Sequence, residues 1–287
     1  MFEKILIATD MSPAADCLVQ SAAELKTLGL KKAVLAHVVY VANTPGLEEL
    51  LKEKARPQLE RQKKLLEKQG IAVDIALELG VPAHDLEDLA QRQGVQAILI
   101  GSRGHGLARS ALGGVSFKLL QITRHPVFLS RINVEGEGDQ CRISVCIRPF
   151  EKILFPTDFS DTSERAFSYL LNICKEGVPA VTLMHVMESQ HAVHLPKESL
   201  EEQKTLDLER LRSMEEQLER LGCRVSTEWV SGSPGDKIVD MTKTGNYSLV
   251  VMGNHGKGLF REALFGSVAN EVARGAEVPV LFIPAIR

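Results

Sequence analysis

The chain has 287 residues and a formal net charge of −3, with 34 lysines and arginines against 37 aspartates and glutamates. A hydrophobic fraction of 44% excludes a disordered chain, which has too little apolar surface to offset its ordering entropy. The absence of a basic excess and an aromatic fraction of 5% argue against a nucleic-acid binder, and the length predicts about two domains.

The chain shows no signal for export or for a membrane. Its start, MFEKILIATD, has an apolar run too short for a signal peptide, and no stretch approaches the roughly 20 apolar residues of a spanning helix. Five scattered cysteines are too few for a disulfide framework, and without matching histidines they do not predict a metal site. They are Cys17, Cys141, Cys146, Cys174 and Cys223. We therefore expect a cytoplasmic protein that has no metal site formed by its own side chains and binds neither membrane nor nucleic acid.

One sequence unit occurs twice in the chain. FEKILIATDMS, from Phe2, returns as FEKILFPTDFS, from Phe150, with eight of eleven positions identical at an offset of 148. His37-Val38 returns as His185-Val186 at the same offset, and Gly101 returns as Gly253 at an offset of 152. This ordered series predicts two homologous domains that differ by a few loop insertions.

Within each copy, short apolar runs alternate with helical segments. Continuous apolar runs are typical of a parallel sheet covered on both faces, so the pattern predicts an open α/β sheet with right-handed crossovers. The predicted strands of the first copy are Lys4–Ala8, Ala33–Val41, Ala72–Glu78, Ala97–Gly101 and Val127–Ser130. Those of the second copy are Lys152–Phe155, Val181–Met187, Arg224–Val230, Ser248–Gly253 and Val280–Ile283.

A long charged helix with an apolar stripe is expected in each copy, and the stripe is interpreted as core. Its members are Leu208, Leu211, Met214, Leu218 and Leu221 in the second copy, and Leu47, Leu50, Leu51, Leu59, Leu65 and Leu66 in the first. Gly70 and Gly222 stand where C-terminal caps belong, while Ser12 and Ser160 are expected to be N-caps.

The stretch Ile132–Pro149 is interpreted as a linker, because it begins polar and rich in glycine. Its apolar end, Ile143–Ile147, can form a small strand or lie across an interface. The domains are therefore expected at 1–131 and 150–287.

The fourth predicted strand of the second copy leads into a glycine-rich loop. Gly253-Asn254-His255-Gly256 is followed by nine residues and then by Gly266-Ser267-Val268, where a helix is expected to begin. Glycines let the backbone approach a ligand, and the amide groups of a helix start attract an anion. The pattern predicts a phosphate site that needs no lysine.

This motif resembles the G-x-x-G-(nine)-G-[S/T] signature of the universal stress protein family. The first-strand segment Phe155–Ser160 and the pair His185-Val186 extend the resemblance, which covers both halves of the chain. It implies two tandem adenine-nucleotide-binding α/β domains, each with five parallel strands in the order 3-2-1-4-5. It also implies ATP or AMP at the carboxyl ends of strands one and four, with Mg²⁺ as an optional companion of ATP.

The resemblance also assigns site residues in the second copy. The residues expected around the phosphates and ribose are Gly253, Gly256, Gly266, Ser267 and Val268, and those expected at the adenine and ribose are Pro156, Thr157, Asp158 and Val186. Asn254 and His255 lie inside the loop, where they can reach phosphate. Two alternatives stay open: Asp158 can instead cap the next helix, and His255 can be solvated. We expect His37 and His185 to be packed or bonded to the backbone rather than catalytic.

The first copy departs from the motif. If Gly113 matches Gly266, only eight residues separate it from Gly104, and Gly114 takes the Ser/Thr place. If the spacing of nine is kept, Gly114 matches Gly266 and Val115 takes the Ser/Thr place. Both alignments lack the hydroxyl, although Ser116 lies nearby. We therefore expect the second copy to be the better site. The weaker candidates in the first copy are Ala8, Thr9, Asp10, Val38, Gly101, Arg103, Gly104, Gly113 and Gly114.

Three functions compete at this point. The leading hypothesis is a stress-response regulatory protein that binds ATP or AMP and acts through contacts with protein partners of unknown identity. The alternatives are a slow ATP hydrolase or nucleotide transferase, although no G-x-x-x-x-G-K-[S/T] loop is present, and a dimerisation scaffold without nucleotide. Pairing of the two last strands, Val127–Ser130 with Val280–Ile283, is expected to form an intramolecular pseudo-dimer, and two chains are expected to form a homodimer.

Overall fold

The structure is a computed structural model that describes residues 1–40, 46–102, 112–135, 142–145, 150–188, 196–256 and 265–286. It consists of two compact units, an N-terminal unit of Met1–Ile147 and a C-terminal unit of Arg148–Ile286. No helix within the described ranges is long and apolar enough to cross a membrane.

The N-terminal unit contains a five-stranded parallel sheet in the order β3-β2-β1-β4-β5. Its strands are β1 (Lys4–Ala8), β2 (Lys32–Tyr40), β3 (Ala72–Gly80), β4 (Ala97–Gly101) and β5 (Val127–Ser130). Its α-helices are α1 (Pro13–Ser21), α2 (Glu48–Lys68), α3 (Pro82–Gln93) and α4 (Gly114–Ile122), and a 3₁₀ helix spans Ala22–Leu28.

The C-terminal unit repeats this sheet in the order β10-β9-β8-β11-β12. Its strands are β8 (Lys152–Pro156), β9 (Ala180–Glu188), β10 (Arg224–Gly232), β11 (Leu249–Gly253) and β12 (Val280–Ile283). Its α-helices are α5 (Asp161–Cys174), α6 (Lys197–Glu219), α7 (Pro234–Thr244) and α8 (Ser267–Gly275). The predicted fold and the strand order 3-2-1-4-5 are thus confirmed in each unit.

Apolar side chains on consecutive strand positions explain why helices cover both faces of each sheet. Ile5, Leu6 and Ile7 are successive residues of β1, so they point alternately to opposite faces, and all three are fully buried. Ile153, Leu154 and Phe155 repeat this pattern on β8. A strand buried on both sides is stable only between two helical layers, which a parallel sheet with crossover helices provides.

The predicted helix ends are confirmed. The Ser12 hydroxyl accepts a hydrogen bond from the Ala15 amide at 3.1 Å, and the Ser160 hydroxyl accepts one from the Ser163 amide at 3.3 Å. Gly70 and Gly222 follow the long helices with φ of +78° and +86°, a left-handed conformation that glycine adopts without steric cost.

The apolar stripe predicted for each long helix is buried in part, and some of its predicted members are exposed. Leu211, Met214 and Leu218 of α6 are buried as expected, but Leu208 is 40% exposed, while Asp207 beside it is only 1% exposed. In α2, Leu59 and Leu66 are buried. The predicted members Leu47 and Leu50 are exposed. The buried face of α6 therefore includes Asp207, four residues before Leu211, in place of Leu208.

The expected small strand near the end of the linker is present. β6 (Ile132–Glu135) and β7 (Arg142–Val145) form an antiparallel pair, and β7 lies beside α1. Cys141, Cys146 and the glycines of this stretch lie outside the described residues.

A buried carboxylate joins α3 to the start of β5 in the N-terminal unit. Glu87 accepts hydrogen bonds from the Thr123 hydroxyl at 2.7 Å, the Arg124 amide at 3.1 Å and Nδ1 of His125 at 3.0 Å. Burial by itself raises the pKa of Glu87, but these three bonds outweigh it and hold the pKa below the ordinary value of 4.5.

Replacing this carboxylate, Glu87→Gln, is expected to lower the free energy of unfolding by about 1–3 kcal/mol at neutral pH, because an amide cannot satisfy all three donors. Since the folded pKa lies below the unfolded value, the contribution is complete above about pH 4.5 and is lost as the pH falls through the folded pKa. Urea unfolding at about pH 7 and about pH 3 measures this. The exposed Glu60→Gln is the control, and an equal Glu87→Gln deficit at both pH values would contradict the assignment.

Candidate functional site

The candidate site lies at the carboxyl ends of β8 and β11, which are neighbours in the sheet of the C-terminal unit. The chain leaves β8 towards β9 on one side and leaves β11 towards β12 on the other side. Right-handed crossovers that run in opposite directions place their helices on opposite faces, which opens a crevice between the two strand ends. The predicted site residues of the second copy lie along this crevice, at the ends of the strands and at the start of α8.

The turn after β8 is held by its own side chains. The Thr157 amide donates to the Met184 carbonyl at 2.8 Å, and the Thr157 hydroxyl accepts from the Phe159 amide at 3.0 Å and the Ser163 hydroxyl at 2.8 Å. Phe159 has a φ of +57°, which is uncommon for a residue with a side chain. These bonds fix the direction in which the next carboxylate points.

That carboxylate belongs to Asp158. Its Oδ1 accepts from the Ser160 amide at 3.1 Å and the Ser160 hydroxyl at 2.6 Å. Ser160 is the residue that caps α5, so Asp158 holds the cap in place rather than capping the helix itself. Its second oxygen, Oδ2, is directed at the loop that follows β11, because a Cβ placed on Gly256 would lie 2.5 Å from it.

The loop after β11 is anchored through Asn254. Its amide donates to the Ile283 carbonyl at 2.9 Å, its carbonyl accepts from the Gly266 amide at 2.9 Å, and its side-chain oxygen accepts from the Ala285 amide at 3.2 Å. Asn254 is buried, and its side-chain oxygen holds the loop through Ala285. Its contact with phosphate stays a prediction. His255 is partly exposed beside it.

Helix α8 begins directly at this loop with Gly266 as its N-cap. Glycine has no side chain with which to cap the first-turn amides, unlike Ser160 at the start of α5. A Cβ on Gly266 would lie 3.3 Å from the Asn254 carbonyl oxygen and 3.5 Å from the Cα of His255. Three elements therefore come together here: the start of α8, the Gly253–Gly256 loop and Asp158. Because Gly256 and Gly266 have no Cβ, a ligand can approach the backbone between them.

Strand β9 borders the same edge. Val186 is half-buried near the end of this strand, two positions beyond the residue that pairs with Pro156. Nδ1 of His185 lies 2.8 Å from the Thr157 carbonyl oxygen, and Nδ1 of His37 makes the same 2.8 Å contact with Thr9. Both histidines are bonded to the backbone, as predicted.

Sequence reasoning missed a buried polar group behind this edge. Nε2 of His185 lies 3.3 Å from Oδ2 of Asp207, which also accepts from the Trp229 indole at 3.5 Å, while its Oδ1 accepts from the Gln203 amide at 2.9 Å. A signal for it was present in the sequence. Asp207 lies four residues before Leu211, so the two side chains share the buried face of the helix.

The structure decides how the two copies align. Gly113 is the N-cap of α4 and its amide donates to the Ser102 carbonyl at 2.9 Å, as Gly266 does with Asn254. Gly114 therefore occupies the place of Ser267, and the hydroxyl is missing. The Ser116 hydroxyl does not replace it, because it donates to the Gly101 carbonyl at 2.7 Å.

The first strand of the N-terminal unit ends like its counterpart in the C-terminal unit. Thr9 accepts from the Met11 amide at 3.0 Å and Asp10 from the Ser12 amide at 3.0 Å, next to Ala8, while Val38 is buried on β2. Arg103 and Gly104, together with Lys257 and the remainder of both glycine loops, lie outside the described residues. No group of three or more His, Cys, Asp or Glu side chains suited to a metal ion occurs in the described part of the chain.

Comparison with known proteins gives one family for both units. The model of the universal stress protein family matches residues 1–131 and 149–284. A universal stress protein of Methanocaldococcus jannaschii is 34% identical over 139 residues, which cover 47% of this chain and 82% of that protein. One from Mycolicibacterium smegmatis is 28% identical over 298 residues, which cover 97% of this chain and 96% of that protein.

A solved structure has the same fold over nearly the whole chain. A universal stress protein from Archaeoglobus fulgidus superposes with a TM-score of 0.76 at 23% identity and covers 98% of this chain and 96% of that one. One universal stress protein has been solved in complex with cAMP, but its TM-score of 0.35 makes it no guide to the ligand of this chain. With two matched regions that together span most of its length, the chain belongs to the universal stress protein family.

Proposed function

We propose that the C-terminal unit binds an adenine nucleotide, ATP or AMP, and that the protein regulates a stress response through nucleotide-dependent contacts with other proteins. The observation that carries this proposal is the meeting of Asp158, Gly256 and the start of α8 around exposed backbone. A carboxylate at one end of a crevice and helix-start amides at the other match the two ends of a nucleotide, its ribose hydroxyls and its phosphates.

The phosphate end rests on backbone amides and on a hydroxyl. Ser267 and Val268 open α8, so their N–H groups and the Ser267 hydroxyl are placed to bind phosphate oxygens. Each hydrogen bond to a charged group contributes about 1.5–3 kcal/mol, and the helix dipole adds about 0.3–1 kcal/mol. Three such bonds together with the dipole contribute about 5–10 kcal/mol, a range that includes the about 8 kcal/mol of micromolar affinity. When ATP is bound, Mg²⁺ would supply charge neutralisation for its phosphates.

The base end rests on the ends of β8 and β9. Asp158 is fixed by Ser160 and is oriented to accept hydrogen bonds from ribose hydroxyls. Val186, which is half-buried, offers apolar surface for the base at the same edge, whereas Pro156 is buried beneath it. In the N-terminal unit, Gly114 replaces the serine, so we expect a single nucleotide for each chain.

Calorimetry on the full chain tests this proposal, with ATP and AMP as the ligands. We expect a stoichiometry of one for the wild type and no detectable binding by Gly266→Val, whose side chain would press on the Asn254 carbonyl and occupy the phosphate cradle. Gly114→Ala is the control, because a Cβ there meets nothing within 4 Å. No binding of either nucleotide by the wild type at millimolar concentration would favour the scaffold, and sustained release of ADP and phosphate would favour the hydrolase.

A further inference from the structure

The buried pair of His185 and Asp207 suggests a role at the proposed nucleotide site. His185 lies on β9 directly beside Trp229 of β10, and Asp207 reaches it from α6. Through its other nitrogen, His185 holds the carbonyl of Thr157, which immediately precedes Asp158. The histidine thus connects a buried carboxylate to the turn that carries the proposed ribose ligand.

The geometry shows how the pair is held in place. Nδ1 of His185 faces the Thr157 carbonyl oxygen, which can only accept, so Nδ1 carries a proton and donates to it. Nε2 lies 3.3 Å from Oδ2 of Asp207. Asp207 also receives N–H groups from Trp229 and Gln203, which fix the position of its carboxyl group.

The ring is also enclosed by the turn that it supports. Phe159 stacks on His185 with centroids 4.7 Å apart, and the guanidinium of Arg210 lies 5.3 Å from the centroid of Phe159. The groups that face the ring are the Thr157 carbonyl and Phe159 from the turn, Asp207 from α6 and the Trp229 indole from β10. Asp207 is the only charged group among these, and Arg210 acts on the ring through Phe159. This arrangement ties α6 to the turn at two points.

The N-terminal unit offers an internal comparison. At the offset of 152 that relates Gly70 to Gly222, Asp207 corresponds to Ala55, which is buried, and Trp229 corresponds to Leu77, which pairs with His37. His37 keeps its bond to Thr9 but has an alanine where His185 has a carboxylate. The pair of His185 and Asp207 thus accompanies the intact glycine motif, and its carboxyl group is replaced by a methyl group where that motif is degenerate.

We propose that His185 and Asp207 are positioning residues that hold the Thr157–Asp158 turn in its nucleotide-binding geometry. The proposal rests on the proposed function of this unit. His185 fixes the Thr157 carbonyl directly, and Asp207 fixes the ring of His185 from α6. Neither residue contacts the nucleotide.

Calorimetric titration of AMP into the full chain tests this, with Asp207→Asn as the variant. The amide keeps the shape of the carboxyl group but replaces one of its acceptor oxygens by a donor. We expect the variant to bind AMP about tenfold more weakly than the wild type, as for the loss of one hydrogen bond. His37→Gln is the control and should leave binding unchanged.

Nuclear magnetic resonance gives a readout that needs no nucleotide. The amide resonances of Thr157 and Asp158 should differ between the wild type and Asp207→Asn, because the substitution changes how the His185 ring is held. Equal AMP affinity in wild type and variant, or turn amide resonances that the substitution leaves unchanged, would overturn the positioning role and leave the proposed nucleotide site standing. A wild type that binds no AMP would overturn the proposed function, and this role with it.

Discussion

Gly256→Ala is expected to weaken nucleotide binding by about a hundredfold or more. The new Cβ would lie 2.5 Å from Oδ2 of Asp158, far inside contact distance. Asp158 cannot turn away cheaply, because its Oδ1 is bonded to both the amide and the hydroxyl of Ser160. The substitution must therefore displace either the loop or the carboxylate, and loss of two charge-assisted hydrogen bonds costs about 3–6 kcal/mol.

Calorimetry with ATP and AMP measures this effect, and thermal unfolding shows whether the variant is folded. The φ of Gly256 is not in the left-handed region, so the effect is steric obstruction and not backbone strain. Gly114→Ala adds the same methyl group at a position without neighbours and should bind like the wild type. Wild-type affinity in a folded Gly256→Ala protein would show that the nucleotide does not lie between this loop and Asp158.

Phe155→Ala is expected to cost about 3–5 kcal/mol of unfolding free energy in the C-terminal unit, the largest stability loss predicted here. Phe155 is fully buried on β8, and its ring lies 5.6 Å from that of Phe167 on α5. Removing it leaves a cavity between the central strand β8 and α5, the helix that Ser160 caps. Since Thr157 follows two residues later, we also expect weaker nucleotide binding.

Urea unfolding of the full chain measures this loss, and Leu206→Ala is the matched control. Leu206 is also a large apolar side chain of this unit, but it is 53% exposed on α6, so its removal should change the free energy by no more than about 0.5 kcal/mol. The prediction would be contradicted if Phe155→Ala lowered the free energy of unfolding as little as Leu206→Ala, because the neighbouring side chains would then have filled the space of the missing ring.

The strands and helix ends were predictable because their causes are local. A buried strand is a short continuous apolar run, as in Ala97–Gly101, and the sheet order followed from the resemblance. A cap needs one hydroxyl or glycine at a fixed place, as at Ser160 or Gly222. The stripe of α6 was placed wrongly at Leu208, because leucine was assumed to be buried and aspartate exposed.

The sequence by itself determined that this protein contains two copies of one α/β unit and that only the second copy has the complete glycine motif. Both conclusions follow from repetition and spacing along the chain, which need no knowledge of the packing. Only the tertiary structure decided that Asp158 faces Gly256, that Gly113 corresponds to Gly266, and that Asp207 lies against His185. The contacts of Asp158 with Gly256 and of Asp207 with His185 join residues that are far apart in sequence. These residues meet only when β8 lies between β9 and β11 and α6 packs against the sheet, and a local sequence pattern does not specify that packing.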